Sequence, residues 1–207
     1  MLRIDNLETY GFKSAMKGMR NPMNSWHLND STDDKIGNND LKLLQQLTKA
    51  GPDHRKVLRQ MMISCDITAP LYWWKEWDTY KVGVTTNSQS TMHKLCSRPL
   101  TIHDFSFEDM NDNEFIVSVV LDNLNTRIRD YKEGMKQNKG LWRTIIQLLP
   151  SAYNQTRTVT MNYEVIMNIY KQRRHHRLSE WQEWTSFMYN NLPYLSVLLS
   201  EANNKNE

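Results

Sequence analysis

Two polar segments of the sequence carry the residue types whose spacing could support chemistry. The first covers residues 54–93, begins at His54 and contains the polar stretch Thr-Thr-Asn-Ser-Gln-Ser at residues 85–90. That stretch has no apolar residue, so it is predicted to be a loop, and loops between packed elements are a usual place for function. The second covers residues 149–184 and contains Arg-Arg-His-His-Arg at residues 173–177, either a solvated basic face or a phosphate-binding patch.

The first segment resembles the flavin-dependent thymidylate synthases in the order and spacing of its residues. In that family a His is followed by a strand, a Pro and a helix, and His54 and Pro70 match that His and that Pro without a gap. Glu-Trp at residues 76–77 stands where the family commonly has Gln-Trp, and Thr-Tyr-Lys at residues 79–81 stands at the family's Arg-His-Arg. After one extra residue, residues 87–90 fall on the family's Asn-Glu-x-Ser.

The second segment continues the resemblance. The family has a Leu-Pro pair, an Asn twelve residues after the Pro, a second Asn six residues further on and an Arg five residues beyond it. The residues at these intervals are Pro150, Asn162, Asn168 and Arg173. With one further insertion Trp181 takes the place of a family Trp, so the resemblance covers roughly residues 51–184.

The sequence departs from the family at several arginines. In the family these arginines hold the phosphates of the flavin and of the nucleotide, which suits a guanidinium because it is always charged and binds phosphate through two hydrogen bonds. Thr79 and Met92 stand at two of these positions, and Ile146 stands at another, four residues before the Pro. Lys81 keeps the charge at a further position but lacks the planar fork.

Around the implied nucleotide site, two arginines are still available and one neutral position of the family becomes negative. Arg173 stands at a pyrimidine-side Arg position, and Arg143 is a candidate displaced substitute for a lost one. Glu76 places a negative charge where the family has a neutral amide. The implied site has therefore lost much of its anion-binding equipment.

The resemblance implies the reductive methylation of deoxyuridylate (dUMP), or of a related pyrimidine nucleotide, with FAD as cofactor and NADPH and methylene-tetrahydrofolate as co-substrates. It also implies a homotetramer with flavin sites shared between chains. The implied flavin-binding residues are His54, Lys81, Asn87 and Asn168, and the implied nucleotide-binding residues are Glu76, Ser90, Arg173 and Arg143. Ser90 is also the implied catalytic residue because it would polarise the pyrimidine ring, and Ser88 is the alternative one register away.

Three functions are compatible with these residues. The first is an enzyme of this kind, the second a diverged member that binds flavin or nucleotide and uses another substrate, and the third a non-catalytic interaction or nucleic-acid-associated protein that keeps only the fold. The substituted arginines weaken the first hypothesis, and four matching residues weaken the third: His54, Asn162, Asn168 and Arg173. If the resemblance is set aside, His54 beside Arg55 could equally be a surface histidine.

Composition bounds the class of protein. The chain has 207 residues, of which 39% are hydrophobic and 24% charged, as in ordinary globular proteins. A net charge of +3 is too small to indicate a nucleic-acid partner by itself. The two cysteines form no CxxC pair, so no metal site is expected. With no signal peptide and no apolar run near the roughly 18 residues of a membrane helix, we expect a cytoplasmic protein without a membrane partner.

The elements that must position these residues are predicted to form one α+β domain over residues 1–207, with a small curved antiparallel sheet and several helices, as the resemblance implies. The strand candidate with a good alternating pattern is residues 61–68. Predicted helices include a short one around residues 41–47 with Asp40 as N-cap, then residues 71–82, 113–136, 141–149, 162–173 and 180–189, the last capped by Ser179. The first forty residues are predicted to be mostly turns and loop, and residues 201–207 a frayed tail. Trp73, Trp74 and Trp77 favour packing or subunit contact over a stacking platform.

Overall fold

The computed structural model describes residues 2–33, 35–108, 110–134 and 138–203. Its sheet is small and antiparallel, and its strands follow one another in the order β1-β2-β4-β3. The strands are β1 Arg3–Tyr10, β2 Met62–Pro70, β3 Val84–Ser88 and β4 Asn154–Asn162. The predicted α+β class with a small antiparallel sheet is therefore confirmed.

Helices surround these strands along the chain. They are α1 Phe12–Met19, α2 Asn38–Ala50, α3 Leu71–Trp77, α4 Thr91–Lys94, α5 Met110–Lys132, α6 Lys139–Leu148, α7 Tyr163–Arg173, α8 Ser179–Asn191 and α9 Leu195–Asn203. Among the described residues, none of the helices is both long and apolar enough to span a bilayer.

Strand β2 lies where the alternating pattern predicts it. Ile63, Cys65 and Ile67 are buried on one face, and burial raises the pKa of the Cys65 thiol to about 12. On the other face, Ser64 Oγ lies 3.3 Å from Thr160 Oγ1 of the neighbouring strand β4. Cross-strand pairs of this kind stabilise a sheet whose second face is polar.

The predictions missed three strands. The first forty residues contain β1 and α1 rather than mostly loop, and the predicted loop at residues 85–90 is largely strand β3. Both β1 and β3 lie at the edges of the sheet, where most of their side chains are exposed and polar, so an apolar pattern is absent. Strand β4 is central, but its sequence Asn-Gln-Thr-Arg-Thr-Val-Thr-Met-Asn reads as polar because its buried face includes Gln155.

Two predicted helix caps are wrong. Asp40 lies inside the first turn of α2, whose N-cap is Gly37, and Asp40 is instead completely buried. The carboxylate of Asp30 takes over part of the capping, because it accepts hydrogen bonds from the backbone N–H groups of Asn39 and Asp40 at 2.9 and 3.0 Å. Ser179 is the first residue of α8, and its N-cap is Leu178.

Most predicted helix boundaries hold to within a few residues, with three differences. Helix α3 ends at Trp77 rather than at residue 82, because the Thr79 N–H and hydroxyl both bond the Glu76 carbonyl and close the helix. Helix α5 ends at Lys132, before the predicted end at residue 136, which lies outside the described residues. Residues 201–203 belong to α9, so the predicted frayed tail starts too early, and residues 204–207 lie outside the described residues.

The chain divides into two compact units. The first contains the described parts of residues 2–3, 67–79 and 87–157, and the second those of residues 4–66, 80–86 and 158–203. In the first unit α5 packs against α6 around a core of Leu95, Leu100, Phe105, Leu124, Ile128, Ile145, Ala152 and Tyr153. In the second unit α2 packs against α9, and α7 against α8. Burial of Trp73, Trp74 and Trp77 in the first unit confirms their predicted packing role.

Candidate functional site

Arg173 is held firmly in the second unit at the end of helix α7. Its Nε donates a hydrogen bond to the Tyr80 hydroxyl at 2.8 Å, and that hydroxyl donates to Gln172 Oε1 at 2.9 Å. The guanidinium carbon also lies 5.7 Å from the ring centroid of Tyr80 and 5.0 Å from that of Trp181. The phenol oxygen of Tyr80 and the two aromatic rings therefore restrain the orientation of the guanidinium.

Tyr80 was not among the sequence-predicted site residues. It is the central residue of the Thr-Tyr-Lys stretch that stands at the family's Arg-His-Arg, and it reaches Arg173 across 93 residues of sequence. The signal that could have revealed it is a phenol within an otherwise matched motif. Lys81, the next residue, is exposed.

Asn162 has a structural part in positioning this region. It is the N-cap of α7, and its Oδ1 accepts a hydrogen bond from the Val165 N–H at 3.1 Å. Its amide nitrogen lies only 2.8 Å from where a Cβ on Gly83 would stand, and Gly83 has a φ of +75°. Glycine is therefore required there, and it lets the turn after Lys81 approach the start of α7.

His54 lines a cavity of about 690 Å³ within the second unit. Most of the wall is apolar and consists of Met19, Met23, Leu28, Leu43, Leu47 and Val57. Polar groups of Asp53, Lys56 and Gln60 also line it. The volume and the mixture of an apolar wall with a few polar groups are typical of sites for small molecules or cofactors.

A cationic cluster follows His54 directly. Arg55 Nε lies 3.1 Å from Glu164 Oε1, and Arg59 Nε lies 2.5 Å from Glu164 Oε2. Burial raises the pKa of the Glu164 carboxyl, but hydrogen bonds from the two arginines outweigh burial and leave that pKa below its ordinary value. Burial, and then repulsion from Arg55 and Arg174, lowers the pKa of Lys171. Arg55, Arg59 and Lys171 together carry more positive charge than the single carboxylate of Glu164 can balance.

Ser90 lies in the first unit and forms a hydrogen-bonded pair with His93. Ser90 is the N-cap of α4, its Oγ accepts a bond from the His93 N–H at 3.1 Å, and the same Oγ lies 2.8 Å from His93 Nδ1. An imidazole bonded to a hydroxyl can orient it and exchange a proton with it. His93 was missed in the sequence, where its signal is the three-residue spacing from Ser90.

The other predicted site residues of the first unit are mostly exposed to solvent. Asn87 and Ser88 are exposed at the end of β3, Glu76 is half-buried in α3, and Arg143 is exposed on α6. The indole N–H of Trp142, next to Arg143, donates to the Met92 carbonyl at 3.1 Å, so α6 contacts the segment that follows Ser90. Among the described residues, no hydrogen bond or ion pair joins His54, Lys81, Asn87 or Asn168 to another of these four.

A hydrogen-bonded network around the buried Gln155 in the first unit was not predicted. Arg157 of β4 bonds Gln155 and Asp78, and the indole N–H of Trp74 donates to the Gln155 carbonyl at 2.9 Å. Gln155 in turn donates through Nε2 to the backbone carbonyl of Gln89 at 2.7 Å. The residue before Ser90 is thus tied to the centre of the sheet.

Solved structures of similar fold supply a comparison. Thymidylate synthase X (ThyX) from Helicobacter pylori, solved with FAD and dUMP, matches with a TM-score of 0.75 and 14% identity, over 98% of this chain and 100% of that chain. A second structure of flavin-dependent thymidylate synthase ThyX from Helicobacter pylori, complexed with FAD and dUMP, matches with a TM-score of 0.72 and 15% identity, over 98% of each chain. A UMP/dUMP methylase, PolB from Streptomyces cacaoi, bound with 5-Br dUMP, matches with a TM-score of 0.67 and 12% identity, over 99% of this chain and 95% of that chain.

No protein-family model matches the sequence, and no curated protein does. At identities of 12–15% the likeness concerns the fold. The chain has the α+β fold of the flavin-dependent thymidylate synthases, as the sequence resemblance implied.

Proposed function

We propose that this chain is a flavin-dependent enzyme that binds FAD and methylates a pyrimidine nucleotide reductively. The observation that carries the proposal is the guanidinium of Arg173, which a phenol and two aromatic rings hold in one orientation at the end of α7. Structures of the same fold were solved with FAD and dUMP or with 5-Br dUMP. NADPH and methylene-tetrahydrofolate are the proposed co-substrates. The chain as a whole is proposed to be one cytoplasmic domain that contains both compact units.

The residues of the second unit fit an FAD cofactor. The cavity beside His54 combines a wide apolar wall with few polar groups, which suits a planar ring system. The exposed Lys81 and Asn168 of the same unit add an ammonium and an amide that can bond phosphate or ring oxygens. When bound, FAD would supply the redox chemistry, while the protein supplies orientation and electrostatics.

The proposed nucleotide-binding residues would bind the nucleotide and orient its pyrimidine ring. Arg173 and Arg143 are each proposed to contact the nucleotide through a guanidinium. Ser90 Oγ, oriented by His93, donates a hydrogen bond to a pyrimidine carbonyl and so polarises the ring. Glu76 disfavours a nearby phosphate and favours a ring N–H donor.

A related pyrimidine nucleotide, rather than dUMP itself, is the second candidate substrate. The specific observation in its favour is that Thr79 and Met92 stand where the family has arginines, and both side chains are exposed. A substrate whose charge lies elsewhere would not need those arginines.

Flavin binding is the direct test of the proposed function. We expect FAD added to the purified protein to lose fluorescence with a dissociation constant on the order of tens of micromolar or lower. His54→Ala should weaken the affinity about three- to tenfold, because one hydrogen bond is lost. His103→Ala, which removes another exposed histidine, is the control and should change nothing. The absence of quenching in the wild type would refute the proposal.

Assembly into a homotetramer belongs to the same proposal. Phe115, Ile116 and Val119 of α5 and Leu148 of α6 are 78, 60, 48 and 49% exposed, an unusual concentration of apolar surface. We expect light scattering at micromolar concentration to give the mass of four chains. Phe115→Glu combined with Val119→Lys should reduce that mass, whereas Asp122→Lys, a polar change on the same helix, should not. A monomeric wild type would contradict the prediction.

A further inference from the structure

Arg157 is a guanidinium held in a fixed position within the first unit. Its Nε donates to Gln155 Oε1 at 3.0 Å, and its Nη1 donates to Asp78 Oδ1 at 2.7 Å. Its guanidinium carbon lies 4.2 Å from the ring centroid of Trp74, whose side chain is buried. Stacking and two hydrogen bonds leave this fork little freedom, so it is pre-organised to bind a planar or tetrahedral anion.

The partners of Arg157 stand next to the two ends of the motif that the resemblance identifies. Asp78 immediately precedes Thr79, the first residue of the Thr-Tyr-Lys stretch. Gln155 bonds the carbonyl of Gln89, and the N–H of Gln89 donates to the Thr156 carbonyl at 2.9 Å. Gln89 immediately precedes Ser90. Arg157 therefore bonds the residue that directly precedes Thr79, the position where the resemblance expects an arginine.

The ion pair of Arg157 with Asp78 is asymmetric. The Arg157 side chain is 12% exposed, whereas the Asp78 side chain is 52% exposed. Asp78 is also the C-cap residue of α3, where the helix dipole disfavours a negative charge. Among the described residues, Arg157 Nη2 makes no hydrogen bond. A stronger anion can therefore displace the half-exposed carboxylate while Gln155 and Trp74 continue to hold the arginine.

We propose that Arg157 binds the phosphate of the nucleotide and replaces the guanidinium that the motif lacks at Thr79. Asp78 occupies Arg157 until a nucleotide arrives. This assignment rests on the proposed function, since it takes the ligand to be a pyrimidine nucleotide. The alternative is that Arg157 and Asp78 form an ion pair that only stabilises the fold, and the two readings predict opposite effects of removing Asp78.

Calorimetry with dUMP and with deoxyuridine, which lacks the phosphate, separates the two readings. We expect Arg157→Gln to bind dUMP about ten- to a hundredfold more weakly than the wild type, with an unchanged affinity for deoxyuridine. Asp78→Asn should bind dUMP about two- to fivefold more tightly, because it removes the competing carboxylate. Arg127→Gln, which removes an arginine of α5 from the same unit, is the matched control and should behave as the wild type.

Several results would overturn the proposal. The first is that Arg157→Gln binds dUMP within about twofold of the wild-type affinity. The second is that Arg157→Gln weakens the binding of dUMP and of deoxyuridine equally. The third is that Asp78→Asn binds dUMP more weakly than the wild type. If Arg157→Gln does not fold, Arg157→Lys keeps the charge without the fork and should weaken dUMP binding selectively. Failure of the wild type to bind either dUMP or deoxyuridine would exclude dUMP as the substrate without deciding whether Arg157 binds phosphate. The Arg157 site is then decided by phosphorus NMR with inorganic phosphate: line broadening in the wild type that Arg157→Gln abolishes supports it, and no broadening overturns it.

Discussion

Replacement of Asp40 by Asn is expected to lower the free energy of unfolding by about 3–5 kcal/mol. The Asp40 side chain is fully buried, and the Arg20 side chain whose Nε lies 2.5 Å from its Oδ1 is 4% exposed. The second carboxylate oxygen accepts bonds from the N–H of Asp30, the N–H of Ser31 and the hydroxyl of Ser31, at 3.2, 3.1 and 2.6 Å. Asn would leave the buried guanidinium without its counterion and would weaken the bonds that hold residues 30–31 to α2.

Urea unfolding followed by circular dichroism measures this effect. Asp33→Asn is the matched control, because Asp33 pairs with Lys13 where both side chains are mostly exposed, and it should cost less than about 1 kcal/mol. The double variant Arg20→Met with Asp40→Leu removes both charges and should be less destabilised than Asp40→Asn. A loss below about 1 kcal/mol for Asp40→Asn would show that the pair contributes little.

Restoring two arginines to the motif is expected to raise the affinity for dUMP about a hundredfold or more in the variant Thr79→Arg/Met92→Arg. Hydrogen bonds to charged groups contribute about 1.5–3 kcal/mol each, and two of them together amount to about 3 kcal/mol or more. Both side chains are exposed, so the substitutions should cost little stability. The wild type should correspondingly bind dUMP weakly, even with Arg157 and Arg173 present.

Calorimetry with dUMP, with and without FAD, tests this expectation. Thr9→Arg/Ser200→Arg adds the same charge at exposed residues outside both segments, and it separates a specific contact from a general increase in positive charge. Equal gains in dUMP affinity for the two double variants would indicate only a general effect of added positive charge. Micromolar binding of dUMP by the wild type would contradict the prediction, and it would indicate that cations already present compensate for both missing arginines rather than only for the one at Thr79.

The sequence alone determined the elements whose signal is local. The alternation of Ile63, Cys65 and Ile67 predicts strand β2, and the apolar periodicity of residues 113–136 predicts most of α5. Both patterns arise because one face of a regular element packs against a core, and that requirement repeats along the chain. The order of matching residues over 51–184 likewise indicated a fold that the solved structures share.

Only the tertiary structure decided which distant residues meet. Strands β1, β3 and β4 form through backbone hydrogen bonds to their neighbours, and exposed or polar side chains conceal them in the sequence. Contacts within each unit are similarly remote in sequence: Arg157 contacts Asp78 across 79 residues in the first unit, and Arg173 contacts Tyr80 across 93 residues in the second. Periodicity and spacing cannot reveal such pairs, because a charge or a phenol carries no local mark of its partner. Each pair forms only when the strands and helices of its own unit have packed together.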